Sequence, residues 1–146
     1  RLDMKEDIRV VQGVTSSISA AASLGAPLMH DFCQISLSDL MTDWSLIEKR
    51  LELASMADFV ICIYNPKSKG RPNHLRRAFE IMQAHKPATT PVGIVKNAGR
   101  INEEKYIRTL ETMDFEVCDM STMIIVGNKE TYIDGDKIIT PRGYGI

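Results

Sequence analysis

The chain has 146 residues, 44% of them hydrophobic and 25% charged, and a formal net charge of −1. Such a composition fits one globular domain with a substantial core and argues against disorder, and the near-neutral charge argues against an extended nucleic-acid surface. No apolar run is long enough to span a bilayer, and Cys33, Cys62 and Cys118 lack CxxC spacing, so free thiols fit better than a metal site or disulfide framework.

The start, RLDMKEDIRVV, is charged and shows no secretory leader, and the first residue is Arg1. A piece of a longer or processed protein, located in the cytoplasm, is therefore expected. Ile8–Val11 suggests a short strand. The turn from Gln12 to Ser17 leads into a helix over Ile18–Leu24, with Thr15, Ser16 or Ser17 as N-cap and Gly25 and Pro27 ending it. Its small side chains suit close approach to a sheet or a ligand. Phe32–Leu37 alternates like a strand, and Trp44–Met56 is an amphipathic helix with Trp44 as an apolar anchor.

Ala57–Arg71, ADFVICIYNPKSKGR, is the centre of the pattern. Phe59–Tyr64 is continuously apolar and β-branched, as in a strand buried on both faces. Asn65-Pro66 ends it, because proline offers no ladder N–H. A short basic loop then precedes a helix over Pro72–His85. Further strands are expected at Pro91–Lys96, Glu104–Leu110 and Thr122–Val126, with one helical turn at Glu111–Asp114. A hairpin turning at Asp134-Gly135 follows. The expected class is α/β, a mixed sheet with flanking helices, parallel in its first part and antiparallel toward the end.

Three buried strands end in polar loops: Tyr64-Asn65-Pro66, Asn97-Ala98-Gly99 and Gly127-Asn128. If those strands are neighbours, the loops converge at one edge, where backbone amides and Asn side chains read a planar ring. No nucleophile motif, phosphate loop or metal spacing is present. His74 and His85 read as solvated, as does the basic cluster Lys67, Lys69, Arg71, Arg76 and Arg77. Contact with an acidic substrate is the other reading of that cluster.

The stretches VVQGVTSSISAAASLGAPLMHDF, ISLSDLMTDWSLIEKRL, ADFVICIYNPKSKGR, PVGIVKNAGR, IIVGNKET and TPRGY together resemble the tetrapyrrole methylases of cobalamin biosynthesis. The likeness is strongest to the branch acting on ring carbon 17 of precorrin-3B or cobalt-factor III. The resemblance implies an S-adenosylmethionine-dependent homodimer of two α/β domains acting on a tetrapyrrole; the charge, spacing and run lengths above lead to no metal, nucleic-acid or membrane partner being expected. The family's Gly-Asp-Pro-Gly loop is absent from this stretch. Residues 1–40 are thus expected to end an amino-terminal domain and 41–146 to form the carboxyl-terminal one. Carried over by position, Thr15, Ser16, Tyr64, Asn65, Asn97, Ala98 and Gly99 are expected to meet the cofactor, and the third loop adds Gly127 and Asn128. Gln12 and Ser16 depart from the family's usual Pro and Ala. Lys67 and Lys69 are candidates for the substrate carboxylates; His30, Asp31, Ser36 and Asp39 are acid or base candidates by position. The alternative is a binding or dimerisation domain that keeps part of the pocket without turnover.

Overall fold

The computed structural model describes residues 9–68 and 70–143. The chain runs α1 (Ser16–Leu24), β1 (Gly25–Ala26), β2 (Phe32–Ser36), α2 (Trp44–Met56), β3 (Val60–Tyr64), α3 (His74–Gln83), β4 (Pro91–Lys96), β5 (Glu104–Thr109), β6 (Thr122–Val126), β7 (Tyr132–Asp134) and β8 (Lys137–Ile139). Five strands form one sheet in the order β2-β3-β6-β4-β5, and β1-β8-β7 form a smaller one. β2 and β3 are parallel, whereas β6 runs antiparallel to both β3 and β4, and β5 antiparallel to β4. Among the described residues no helix is long and apolar enough to cross a membrane.

The apolar runs become central strands because both of their faces are covered. Successive side chains alternate across a strand, and two cores result. Ile61, Ile63, Val92, Ile94, Ile124 and Val126 pack under α2 and α3, against Ile47, Leu51, Leu75 and Phe79. Val60, Cys62, Val95, Met123 and Ile125 face α1 and the small sheet, against Ala20, Ala21, Leu24 and Ile138. The close seat of α1 needs a gap in β4. A Cβ on Gly93 would collide with the side chain of Leu24 and come within 3.1 Å of Ile138 Cδ1.

Several expectations change. The expected strand over Ile8–Val11 begins outside the described residues, and Arg9–Val11 carry no strand. α3 starts two residues after Pro72, at His74. Glu111–Asp114 is not helical: the Glu111 N–H donates to the Ala88 carbonyl and that of Thr112 to Thr109. The hairpin turns one residue later than expected, because Asp134 pairs with Lys137. Gly135, with φ +56, thus takes the first central position of the turn, where a positive φ is needed. The division expected after Leu40 falls between two strands that pair. β2 precedes it and pairs along its whole length with β3 beyond it.

Two outcomes are expected. Gly93→Ala lowers stability by about 1–3 kcal/mol through overpacking, read as a lower urea midpoint. Burial pushes the thiols of Cys62 and Cys118 up to about 12. In the folded protein at pH 8 both therefore resist iodoacetamide, and both react once it is unfolded.

Candidate functional site

β3 and β4 both run antiparallel to β6, so their carboxyl ends share one edge of the sheet. A cavity of about 230 Å³ opens there, lined by Ser16, Tyr64, Asn65, Asn97, Ala98, Arg100 and Met120–Met123. Asn65 and Asn97 both adopt left-handed backbones, φ +53 and +50. Asparagine tolerates that region better than other side chains, and the turn it makes swings the chain off the sheet. The loop after β4 is held from several sides. The Asn97 N–H donates to the Ser121 carbonyl at 3.1 Å, the Arg100 N–H to the Asn97 carbonyl at 2.9 Å, and Asn97 Nδ2 to the Asn102 carbonyl at 3.3 Å. Glu103 fastens this loop to α1: Ser23 Oγ donates to one carboxylate oxygen and the Gly99 N–H to the other, each at 2.5 Å. The same two bonds hold the Glu103 carboxyl below its ordinary range.

Ser16 brings the first turn of α1 to the cavity. Thr15 caps that helix with its carbonyl, which accepts from Ile18 and Ser19, while its side chain makes no capping bond. First-turn N–H groups with no side-chain cap suit an anionic group. Thr15 and Gly99 adjoin the cavity in sequence but are not among its lining residues. Arg100 and Met120–Met123 are wall residues that sequence reasoning missed. The available signal was the polar turn Asp119–Thr122 leading into β6, where Asp119 Oδ1 accepts from the Ser121 N–H at 2.8 Å and from Thr122 Oγ1 at 3.1 Å.

Gly127 and Asn128 do not line this cavity, because β6 ends at the opposite edge. There the Gly127 N–H donates to the Pro91 carbonyl at the start of β4. Buried Lys86 donates to the carbonyls of Gly127 at 3.0 Å and Phe59 at 2.9 Å, and lies 3.3 Å from Asp58 Oδ1. Burial pulls the Lys86 pKa down, with Asp58 opposing. Asn128 Oδ1 accepts from Glu130 N–H and Thr131 Oγ1, and Thr131 meets Thr140 at 2.8 Å. His30 and Asp31 precede β2 and lie at that far edge too, where the Asp31 carbonyl accepts from the Val60 N–H. Neither faces the cavity.

Ser36 and Asp39 lie at and beyond the carboxyl end of β2, on the same edge of the sheet, but neither lines the cavity and both are already engaged. Ser36 Oγ accepts from Asn65 Nδ2 and from the Ser38 N–H, each at 3.1 Å. Asp39 Oδ2 lies 3.0 Å from His74 Nε2, a bond that holds the Asp39 carboxyl below its usual range. His74 also packs against Trp44, with centroids 4.1 Å apart and ring planes tilted by 59°, so it is not simply solvated. His85 is exposed, as expected, with Nε2 4.0 Å from Glu52 Oε1. Arg71 is buried rather than part of a solvated basic face. Lys67 Nζ lies 3.4 Å from both the Phe115 carbonyl and Glu116 Oε2. It borders a second, mostly apolar groove of about 390 Å³ with Cys118 and Met120, the latter shared with the first cavity. Lys69 and Tyr144 lie outside the described residues.

A mixed α/β sheet with a cavity at the carboxyl ends of two like-directed strands is the arrangement in which α/β proteins commonly place ligands. A family model for Tetrapyrrole (Corrin/Porphyrin) Methylases matches residues 2–114, and the chain belongs to that family. A Salmonella typhimurium protein named "Probable cobalt-factor III C(17)-methyltransferase" is 60% identical over 138 residues, which cover 94% of this chain and 57% of that protein. A Sinorhizobium "Precorrin-3B C(17)-methyltransferase" is 45% identical over 143 residues, covering 94% and 56%. The crystal structure of the methyltransferase CobJ has a TM-score of 0.87 and 36% identity over 92% of this chain and 56% of that one. The chain thus spans little more than half the length of these relatives.

Asn128→Ala is expected to lower stability by about 1–3 kcal/mol, because buried hydroxyl and amide groups lose their partner. Ligand affinity at the cavity stays unchanged in this variant, as read by calorimetric titration after the melting temperature has been measured.

Proposed function

We propose that the chain forms part of an S-adenosylmethionine-dependent methyltransferase that methylates ring carbon 17 of precorrin-3B or cobalt-factor III, with ring contraction, in cobalamin biosynthesis. The observation that carries this reading is the cavity itself. Two left-handed asparagines from separate strand ends meet the first turn of α1 there, in a member of the tetrapyrrole methylase family.

The donor set fits the cofactor. Asn65, Asn97 and the loop backbone offer donors and acceptors to an adenine edge, Ala98, Met120 and Met123 offer apolar surface to its faces, and the start of α1 suits a carboxylate. The bound cofactor supplies a methyl group on a sulfonium, already electrophilic. The protein's part is alignment and exclusion of water. Tyr64, half-exposed at the rim, and the Asn65 and Asn97 loops perform the alignment. At about 230 Å³ the cavity falls below the roughly 300–1,000 Å³ usual for a ligand site, as expected of one wall of a site completed by another domain. The pairing of β2 with β3 favours a division of the parent protein before Phe32 rather than after Leu40.

Lys67 borders the apolar groove beside the cavity and suits a carboxylate at the periphery of the macrocycle. Lys69 joins it by sequence proximity. A homodimer is inferred from the resemblance, and a cytoplasmic location from three cysteines that are all free.

Titration of the full-length protein with S-adenosylhomocysteine is expected to give micromolar binding, about −8 kcal/mol. Asn97→Ala weakens it roughly tenfold. Lys67→Ala weakens tetrapyrrole binding and leaves S-adenosylhomocysteine binding as it was. Methyl transfer by the full-length protein, followed by mass spectrometry, separates the enzyme from a binding domain without turnover: no methylated product with either tetrapyrrole leaves only the latter.

A further inference from the structure

A left-handed backbone at a residue other than glycine is uncommon, and at Asn65, with φ +53, the surroundings hold it. Asn65 is held at two points. Its side chain donates to Ser36 Oγ at 3.1 Å, and its carbonyl accepts from Arg71 Nη1 at 3.4 Å. The same nitrogen donates to the Leu37 carbonyl at 2.7 Å, and Arg71 Nε donates to Ser68 Oγ at 3.1 Å. Asp39 Oδ1 lies 3.8 Å from Nε, and Met120 Sδ lies 4.0 Å from Nη2. Arg71 is only 7% exposed and does not itself line the cavity, although Asn65 and Met120 do. Its guanidinium therefore sits behind the wall. There it touches the segment leaving β2, the segment leaving β3 and the lead-in to β6.

From this arrangement we infer that Arg71 is a positioning residue for the cofactor, setting Asn65 and Met120 in the wall from behind; the inference rests on the cofactor reading of the cavity. The residue type matters. A planar guanidinium offers five donors in a fixed fork, so one side chain reaches two carbonyls, a hydroxyl and a carboxylate at once. A lysine ammonium presents three donors on a single point and cannot span the same partners. A buried cation is tolerated only when its donors are used, and here they are spent on tying loops together. Because Arg71 acts through Asn65 and Met120, its loss removes binding shared by ground and transition states.

The test is made in the full-length protein, starting with wild-type binding of S-adenosylhomocysteine. Absence of that binding overturns the cofactor reading before any variant is compared. With wild-type binding in hand, Arg71→Lys is expected to raise both the S-adenosylhomocysteine Kd and the cofactor KM roughly tenfold, while kcat at saturating cofactor stays within about twofold. A wild-type Kd in Arg71→Lys overturns the inference. So does a fall in kcat with the cofactor KM unchanged, which marks loss of an interaction made only in the transition state or of active molecules, not of cofactor binding. Ser68→Ala loosens the guanidinium without removing it, and is expected to raise the same Kd about threefold or more. If Arg71→Lys does not fold, Ser68→Ala decides, and a wild-type Kd there overturns the inference.

Discussion

β6 runs antiparallel between β3 and β4, and the position of the cavity walls that come from strand ends follows from that insertion. Flanking one strand in the same sense, β3 and β4 deliver their carboxyl ends to a common edge. β6 itself contributes its lead-in there, Met120–Met123, and carries Gly127 and Asn128 away to the other side. The two edges are thus specialised. One gathers left-handed asparagines around open space; the other is closed by the Lys86 and Asn128 networks, which satisfy buried carbonyls and hydroxyls.

Each wall of the cavity has a fastening outside it. The start of α1 is carried by a helix whose far end, Leu24, sits in the gap over Gly93. The loop after β4 is bonded to α1 through Glu103, and Lys105 extends that link to Asp136 of the hairpin turn at 2.9 Å. The segment after β3 is fastened to the end of β2 through Ser36 and Arg71. Binding groups held by rigid elements and outer hydrogen bonds lose little freedom when a ligand arrives, which favours affinity.

The legible part of this molecule was the part governed by side-chain burial. Continuous apolar runs mark β3, β4 and β6, and the small-residue stretch marks α1, because those properties belong to short contiguous segments. Strand direction does not. An apolar run reads the same in either sense, so the condition for the three loops to converge is met by neighbouring strands but not by their direction, β6 being antiparallel to β3 and β4. The same limit applies to Arg71. A basic run reads as a solvated face unless distant carbonyls accept its protons, and Leu37 and Asn65 come together with it only in the folded sheet. Five cofactor candidates, Ser16, Tyr64, Asn65, Asn97 and Ala98, line one cavity. His30, Asp31, Gly127 and Asn128 do not, because they lie at the opposite edge of the sheet, the first two before β2 and the last two after β6.

The late arrival of β6 also bears on how the chain is made. β3 and β4 are not hydrogen-bonded neighbours; each waits for residues 122–126 to fill the place between them. On a ribosome, the segment from Val60 to Lys96 emerges with two apolar strands whose inner edges have no partner until nearly all of this sequence has been translated. Sheet closure is therefore a late, long-range event, and unpaired apolar edges of this kind are where nascent chains aggregate or recruit chaperones.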